Sequence, residues 1–200
     1  RTDIRRLSDR SDLTTLATDA AITSVLPQWE RLRDTPHVAP FHRYPVGEHS
    51  LACLDEVSRL LDQPEDALVI EAVAAVTSPD TLRWAALAHD VGKGHSEPHA
   101  REGAQLIDES NLPSMVDEPE LLSFLVEHHL LLADFATKYD IDDPGVISWV
   151  ADRCRERGWL AALYLLTIAD SLAILYYMSW DTSANLKTEI VAQMLVERLG

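Results

Sequence analysis

The sequence predicts an all-α fold, and three observations predict it. Apolar residues recur at three- and four-residue spacing along most of the 200 residues, no stretch alternates with period two for long, and Pro27, Pro64, Gly92, Gly94, Pro119 and Pro144 punctuate the apolar runs. With 46% hydrophobic residues and no low-complexity tract, the chain is long enough for one sizeable core, so a single compact helical domain is expected.

Taken in order, residues 12–26 and 28–33 form helical runs separated by Pro27. The run 46–62 carries Val46, Leu51, Leu54, Val57, Leu60 and Leu61 at helical spacing, and 65–77 follows Pro64. Residues 81–91 continue the pattern and stop at Gly92 and Gly94, residue types that end helices. Further helices are expected over 99–109, 119–132, 143–157, 159–178 and 184–199, with Pro119 and Pro144 near helix starts and Asp142 and Asp143 as helix-start acids. The segments 34–45 and 92–98, rich in Pro, Gly and His, read as loops. Residues 1–33 read as an N-terminal helical lead-in and 34–200 as the functional domain; no internal repeat is visible.

The run WLAALYLLTIADSLAILYYM, residues 159–178, has the length and composition of a membrane span, but Asp170 falls near its middle with no Lys or Arg inside to pair with it. A lone carboxylate at a bilayer centre costs roughly 2.5–3.5 kcal/mol on insertion scales. A buried core helix is therefore the preferred reading, with no membrane involved. The formal net charge of −16, with 17 Lys and Arg, argues against nucleic acid as a partner, though a single nucleotide held through metal is compatible with it. Cys53 and Cys154 form no CxxC pattern, which fits a reducing, cytoplasmic setting. The sequence begins at Arg1 with no export signal after it, and reads as a piece of a longer protein.

Residues 85–99, AALAHDVGKGHSEPH, set His89 and Asp90 side by side where an apolar helix gives way to glycines. Two ionisable groups there carry a desolvation cost, and a metal ion is the most economical way to offset it. His49 on the helix after the first loop, His89, Asp90 and the carboxylate Asp170 in its apolar run form a candidate set drawn from several helices. His37, His42 and His95 fall in the loops and read as solvated.

This order, His49, then His89-Asp90, then Asp170, resembles the HD superfamily of metal-dependent phosphohydrolases, an all-helical fold. More narrowly, it resembles the HD domain of the bifunctional uridylyltransferase/uridylyl-removing family, which modifies the nitrogen-regulatory PII protein. The likeness runs from about residue 26 to 195 through LPQWERLR, FHRYPVGEH, AALAHDVGKG followed by His99, LVEHHLLLADFATKYDIDDP and LTIADSLA. An HD dipeptide alone is unspecific; the ordered series is specific. Pro45 and Gly47 depart from the threonine and aspartate common in that family.

The resemblance implies two more ligands, His99 in KGHSEPHA and, from the register of VEHHLLL, His129 rather than His128, which reads as an outer or surface residue. It implies two divalent ions: one on His49, His89, Asp90 and Asp170, the other on His99 and His129 with Asp90 bridging. Histidine and carboxylate donors suit Mn, Fe or Zn, with Mg as an alternative. Asp90 and Lys93 are the implied catalytic residues, Lys93 as a phosphate binder; on helix chemistry alone Lys93 is a charge favourable at a helix C-terminus. The implied reaction hydrolyses the phosphodiester joining a nucleotide, UMP or alternatively AMP, to a PII tyrosine, releasing the nucleotide monophosphate. In the full-length family a transferase domain precedes and ACT domains follow; here Asp140-Ile141-Asp142 has a transferase-like acidic spacing, but no glycine motif precedes it. The alternatives are an HD phosphohydrolase acting on small nucleotides and a non-catalytic HD scaffold that binds PII.

Overall fold

In the computed structural model, which describes residues 20–36, 45–95, 98–140 and 143–175, the chain turns helical where a start signal precedes an apolar run. The elements are α1 (Ala20–Val25), α2 (Trp29–Leu32), α3 (Val46–Asp62), α4 (Ala67–Ala75), α5 (Pro79–Ala88), α6 (His99–Asp108), a 3-10 turn (Leu112–Met115), α7 (Pro119–His128), α8 (Leu131–Lys138), α9 (Pro144–Cys154) and α10 (Arg157–Leu175). The Asp66 carboxylate accepts from the Leu68 and Val69 amides at the start of α4, the Ser78 hydroxyl from Thr81 at α5, and Asp143 from Gly145 at α9. Each satisfies an amide that a helix's first turn leaves without a partner. Pro79, Pro119 and Pro144 open their helices, where a missing N–H costs nothing. Among the described residues no strand forms, and an isolated antiparallel bridge joins Pro36 to Pro45.

The apolar run that resembled a membrane span becomes the hub. α10 packs against α3, α4, α5, α7, α8 and α9, and buries Leu160, Leu163, Leu165, Leu166 and Ala169. Its Arg157–Ile174 stretch is long and apolar enough to cross a membrane, yet 67% of it is buried inside the fold. Each leucine so buried stabilises the fold by roughly 1.5–3 kcal/mol relative to exposure. α1, α2 and the turn between them add Ile22, Leu26, Trp29 and Leu32 to the same core.

The expected runs 46–62 and 99–109 match α3 and α6 to within a residue. Two expectations need correction. The run 81–91 ends early, at Ala88, and 119–132 is cut at His129 and Leu130 into α7 and α8. The cause is the same at both places: a histidine at the helix C-cap turns its ring Nδ1 onto the carbonyl three residues back, His89 onto Ala86 and His129 onto Val126, each at 2.8 Å. Those carbonyls belong to the group a helix end leaves unpaired. The 3-10 turn and the part of α8 beyond residue 132 have no counterpart among the expected elements. The expected helix 184–199, most of 12–26, His37, His42 and Asp142 lie outside the described residues.

Candidate metal centre

Five elements deliver the candidate ligands. His49 stands in the first turns of α3, His89 and Asp90 follow the end of α5, His99 opens α6, His129 caps α7, and Asp170 projects from α10. Glycines allow the close approaches this needs. A Cβ on Gly92 would stand 2.0 Å from the His99 carbonyl oxygen and 2.7 Å from the Gly103 nitrogen, so the turn after Asp90 lies backbone-to-backbone on the start of α6. A Cβ on Gly47 would stand 2.5 Å from the Arg33 Cα, which explains a glycine two residues ahead of His49.

Asp90 is the centre of the cluster. Its Oδ2 faces His89 Nε2 at 3.3 Å and His49 Nε2 at 3.8 Å, while its Oδ1 faces His99 Nε2 and His129 Nε2, both at 3.6 Å. The donor atoms of His49, His89 and Asp90 all lie within 4.8 Å of one another, as do those of Asp90, His99 and His129. Asp170 joins the first group through its Oδ1, 2.8 Å from His49 Nε2 and 3.7 Å from His89 Nε2. Donors around an ion held at about 2.0–2.2 Å sit roughly 3–3.5 Å apart, so the residues fit a divalent ion in each group. The bonds to Ala86 and Val126 place the imidazole protons of His89 and His129 on Nδ1 and turn Nε2 toward Asp90, the usual second-layer support of a metal-binding histidine.

Opposite charges within the cluster act on one another. Burial opposes charge on the His89 ring, but Asp90, Asp170 and the Ala86 carbonyl outweigh it and push the imidazole up to about 9. Burial and the neighbouring His89 cation push His129 down to about 4. Burial also works against an ionised Asp90, yet His89, Lys93 and His129 hold its carboxyl well below the usual range. For Asp170 burial is again outweighed, by the hydrogen bond from His49 and the charge on His89.

The structure brings His49, His89, Asp90, His99, His129 and Asp170 into one cluster. Asp170 is not sealed in the core as its apolar neighbours imply; its side chain keeps 18% exposure and looks onto the cluster. His128 turns away and packs edge-on against Phe124, with ring centroids 4.8 Å apart. His95 lies beside Glu102, Nδ1 to Oε1 3.4 Å. Lys93 sits past the end of α5, and its Nζ reaches Asp90 Oδ2 at 2.6 Å. A residue that sequence reasoning passed over is Arg31, whose guanidinium donates to the Lys93 and Val91 carbonyls at 3.0 and 3.4 Å.

An all-helical fold carrying His-Asp at a helix end, with further histidines and a distant aspartate converging on it, defines a class. The family model for the HD domain matches residues 46–174, and the chain belongs to the HD domain family. Curated relatives narrow the likeness. The chain is 38% identical over 150 residues to the bifunctional uridylyltransferase/uridylyl-removing enzyme of Neisseria gonorrhoeae (strain NCCP11945), covering 72% of this chain and 18% of that protein. Proteins of the same name from Bordetella avium (strain 197N), 37% identical over 153 residues, and Pseudoalteromonas translucida (strain TAC 125), 31% over 156, cover 72% and 74% of the chain. The chain spans about 18% of the length of these relatives.

Proposed function

We propose that the chain is a nucleotidyl-removing domain: a metal-dependent phosphodiesterase that hydrolyses the bond between a nucleotide, UMP in the first instance, and a tyrosine of the PII protein. The observation that carries the catalytic part is Asp90, whose two oxygens face two separate donor groups. The names of the relatives support the substrate. In this reading His49, His89, Asp90 and Asp170 would hold one ion, and Asp90, His99 and His129 would hold a second; the nitrogen-rich donor set favours Mn, Fe or Zn over Mg. Bound divalent ions supply Lewis acidity, making water nucleophilic at neutral pH and neutralising charge that gathers on the phosphoryl oxygens. His89 would have to lose one proton before its Nε2 could hold an ion, and the Ala86 carbonyl keeps the ring oriented for that. Lys93, its side chain 25% exposed beside Asp90, provides a cation for a phosphoryl oxygen. A tyrosine leaving group has a pKa near about 10, so it departs with less need for protonation than an alkoxide.

Residues 34–200 form the hydrolase in this reading, joined in the full-length protein by a transferase domain before and ACT domains after. A cytoplasmic setting agrees with Cys53 and Cys154 being buried free thiols. The test is to incubate the Mn-loaded chain with uridylylated PII and follow UMP release together with the mass of PII. The expected result is stoichiometric UMP and unmodified PII, abolished by chelator and by His89→Ala. Cleavage of free nucleotides alone, or PII binding with no product, would overturn the proposal, and adenylylated PII run in parallel reads which nucleotide is preferred.

A further inference from the structure

The turn that carries Asp90 and Lys93 is gripped from outside the region matched by the family model. Residues 91–94 form successive turns, with the Lys93 amide on the Asp90 carbonyl at 2.9 Å and the His95 amide on the Gly92 carbonyl at 3.2 Å. The carbonyls of Val91 and Lys93 are taken instead by one guanidinium: Arg31 on α2 donates through Nη2 to Val91 and through Nη1 to Lys93. The turn is shaped to receive it. Gly94 has φ +80°, and a Cβ there would stand 2.7 Å from Arg31 Nη1. The same segment also grips α3, through the Arg33 backbone against Gly47 and the Val46 amide on the Thr35 carbonyl at 2.8 Å. Arg31 is therefore anchored between the start of the His49 helix and the turn after Asp90. Its side chain is exposed, so the core does not depend on it.

The geometry points to Arg31 as a positioning residue for the metal centre: its two-pronged hold on residues 91–94 keeps Lys93 Nζ at Asp90 and keeps Asp90 presented to both donor groups. A guanidinium spreads its donors over a rigid planar fork that spans two separated carbonyls, whereas a lysine ammonium is a compact point charge on a flexible stem and holds them less firmly. Displacing a catalytic group by an ångström costs rate steeply, so a loosened turn is felt as lost turnover rather than lost substrate binding. The catalytic consequence rests on the hydrolase reading above; the structural and metal consequences do not.

The test compares wild type with Arg31→Ala and Arg31→Lys by amide hydrogen exchange of the metal-free chain, by Mn titration calorimetry, and by UMP release from uridylylated PII. Arg31→Ala should speed exchange at residues 91–95 by about tenfold, the scale of one lost charge-assisted hydrogen bond, while α10 stays protected. Mn should bind several-fold more weakly, kcat should fall about tenfold with KM nearly unchanged, and Arg31→Lys should recover only part of each loss. Unchanged exchange at 91–95 overturns the inference. So does faster exchange with Mn affinity unchanged. If wild type releases no UMP while the exchange and Mn effects appear, the hydrolase reading fails and the positioning role stands.

Discussion

His89 and His129 solve one problem at two helix ends. Each donates from Nδ1 to the carbonyl three residues back and so presents Nε2 to Asp90, yet their protonation differs because their neighbours do. His89 lies against Asp90 and Asp170 and is held protonated up to about 9, whereas burial and the cation on His89 drive His129 to about 4. A metal needs neutral imidazole, so ion binding to the metal-free protein must displace the His89 proton. The sign follows directly: below about pH 9 binding competes with that proton, and affinity rises with pH until the ring is neutral before the ion arrives. Titrating Mn at pH 6.5, 7.5 and 8.5 in buffers of different ionisation enthalpy should show proton release on filling the His89 site, with affinity rising over that range. At this scale the sequence showed His89, Asp90 and Asp170 as ionisable groups set against apolar runs. It gave no such sign for His99 or His129, which only the family resemblance supplied, because the apolar pattern runs unbroken through VEHHLLL. Arg31 lies in the quoted LPQWERLR segment, but nothing marked it out individually, since its partners are backbone carbonyls some 60 positions away.

The junction between α5 and α6 is where helices, rather than single residues, set the site. Gly92 lets the turn after Asp90 rest on the backbone of His99 and Gly103, and this contact holds the Oδ1 side of Asp90 at 3.6 Å from His99 Nε2. Both atoms facing the absent Cβ are backbone and cannot swing away. Gly92→Ala should therefore destabilise the metal-free chain by about 1–3 kcal/mol, as overpacking does, and weaken metal binding at the His99 side. Gly145→Ala is the control: its Cβ would meet only the Asp143 carboxylate, at 3.2 Å, so thermal unfolding should shift little. The long elements were legible because caps and prolines mark their starts. α8 and the Leu112–Met115 turn were not, being short and lacking a pattern that separates them from their neighbours.

Across the whole molecule, α10 ties the core to the centre: its apolar residues pack against six other helices, and its single aspartate emerges at the cluster. Such a helix has in sequence the length and composition of a membrane span, and the lone Asp170 tipped the reading to a core helix; in the fold that carboxylate finds its partners in the cluster. The fold class was legible in periodicity alone. Convergence of the ligands was not, since it depends on where helices end and how they cross. In the proposed hydrolase Asp90 serves two ions at once, and anomalous scattering from crystals of the Mn-loaded chain distinguishes that from a single-ion site. Two peaks are expected, with Asp90 touching both, and in His99→Ala one peak, retained beside His49, His89 and Asp170. A single ion in the wild-type chain, or loss of both peaks in His99→Ala, would contradict it.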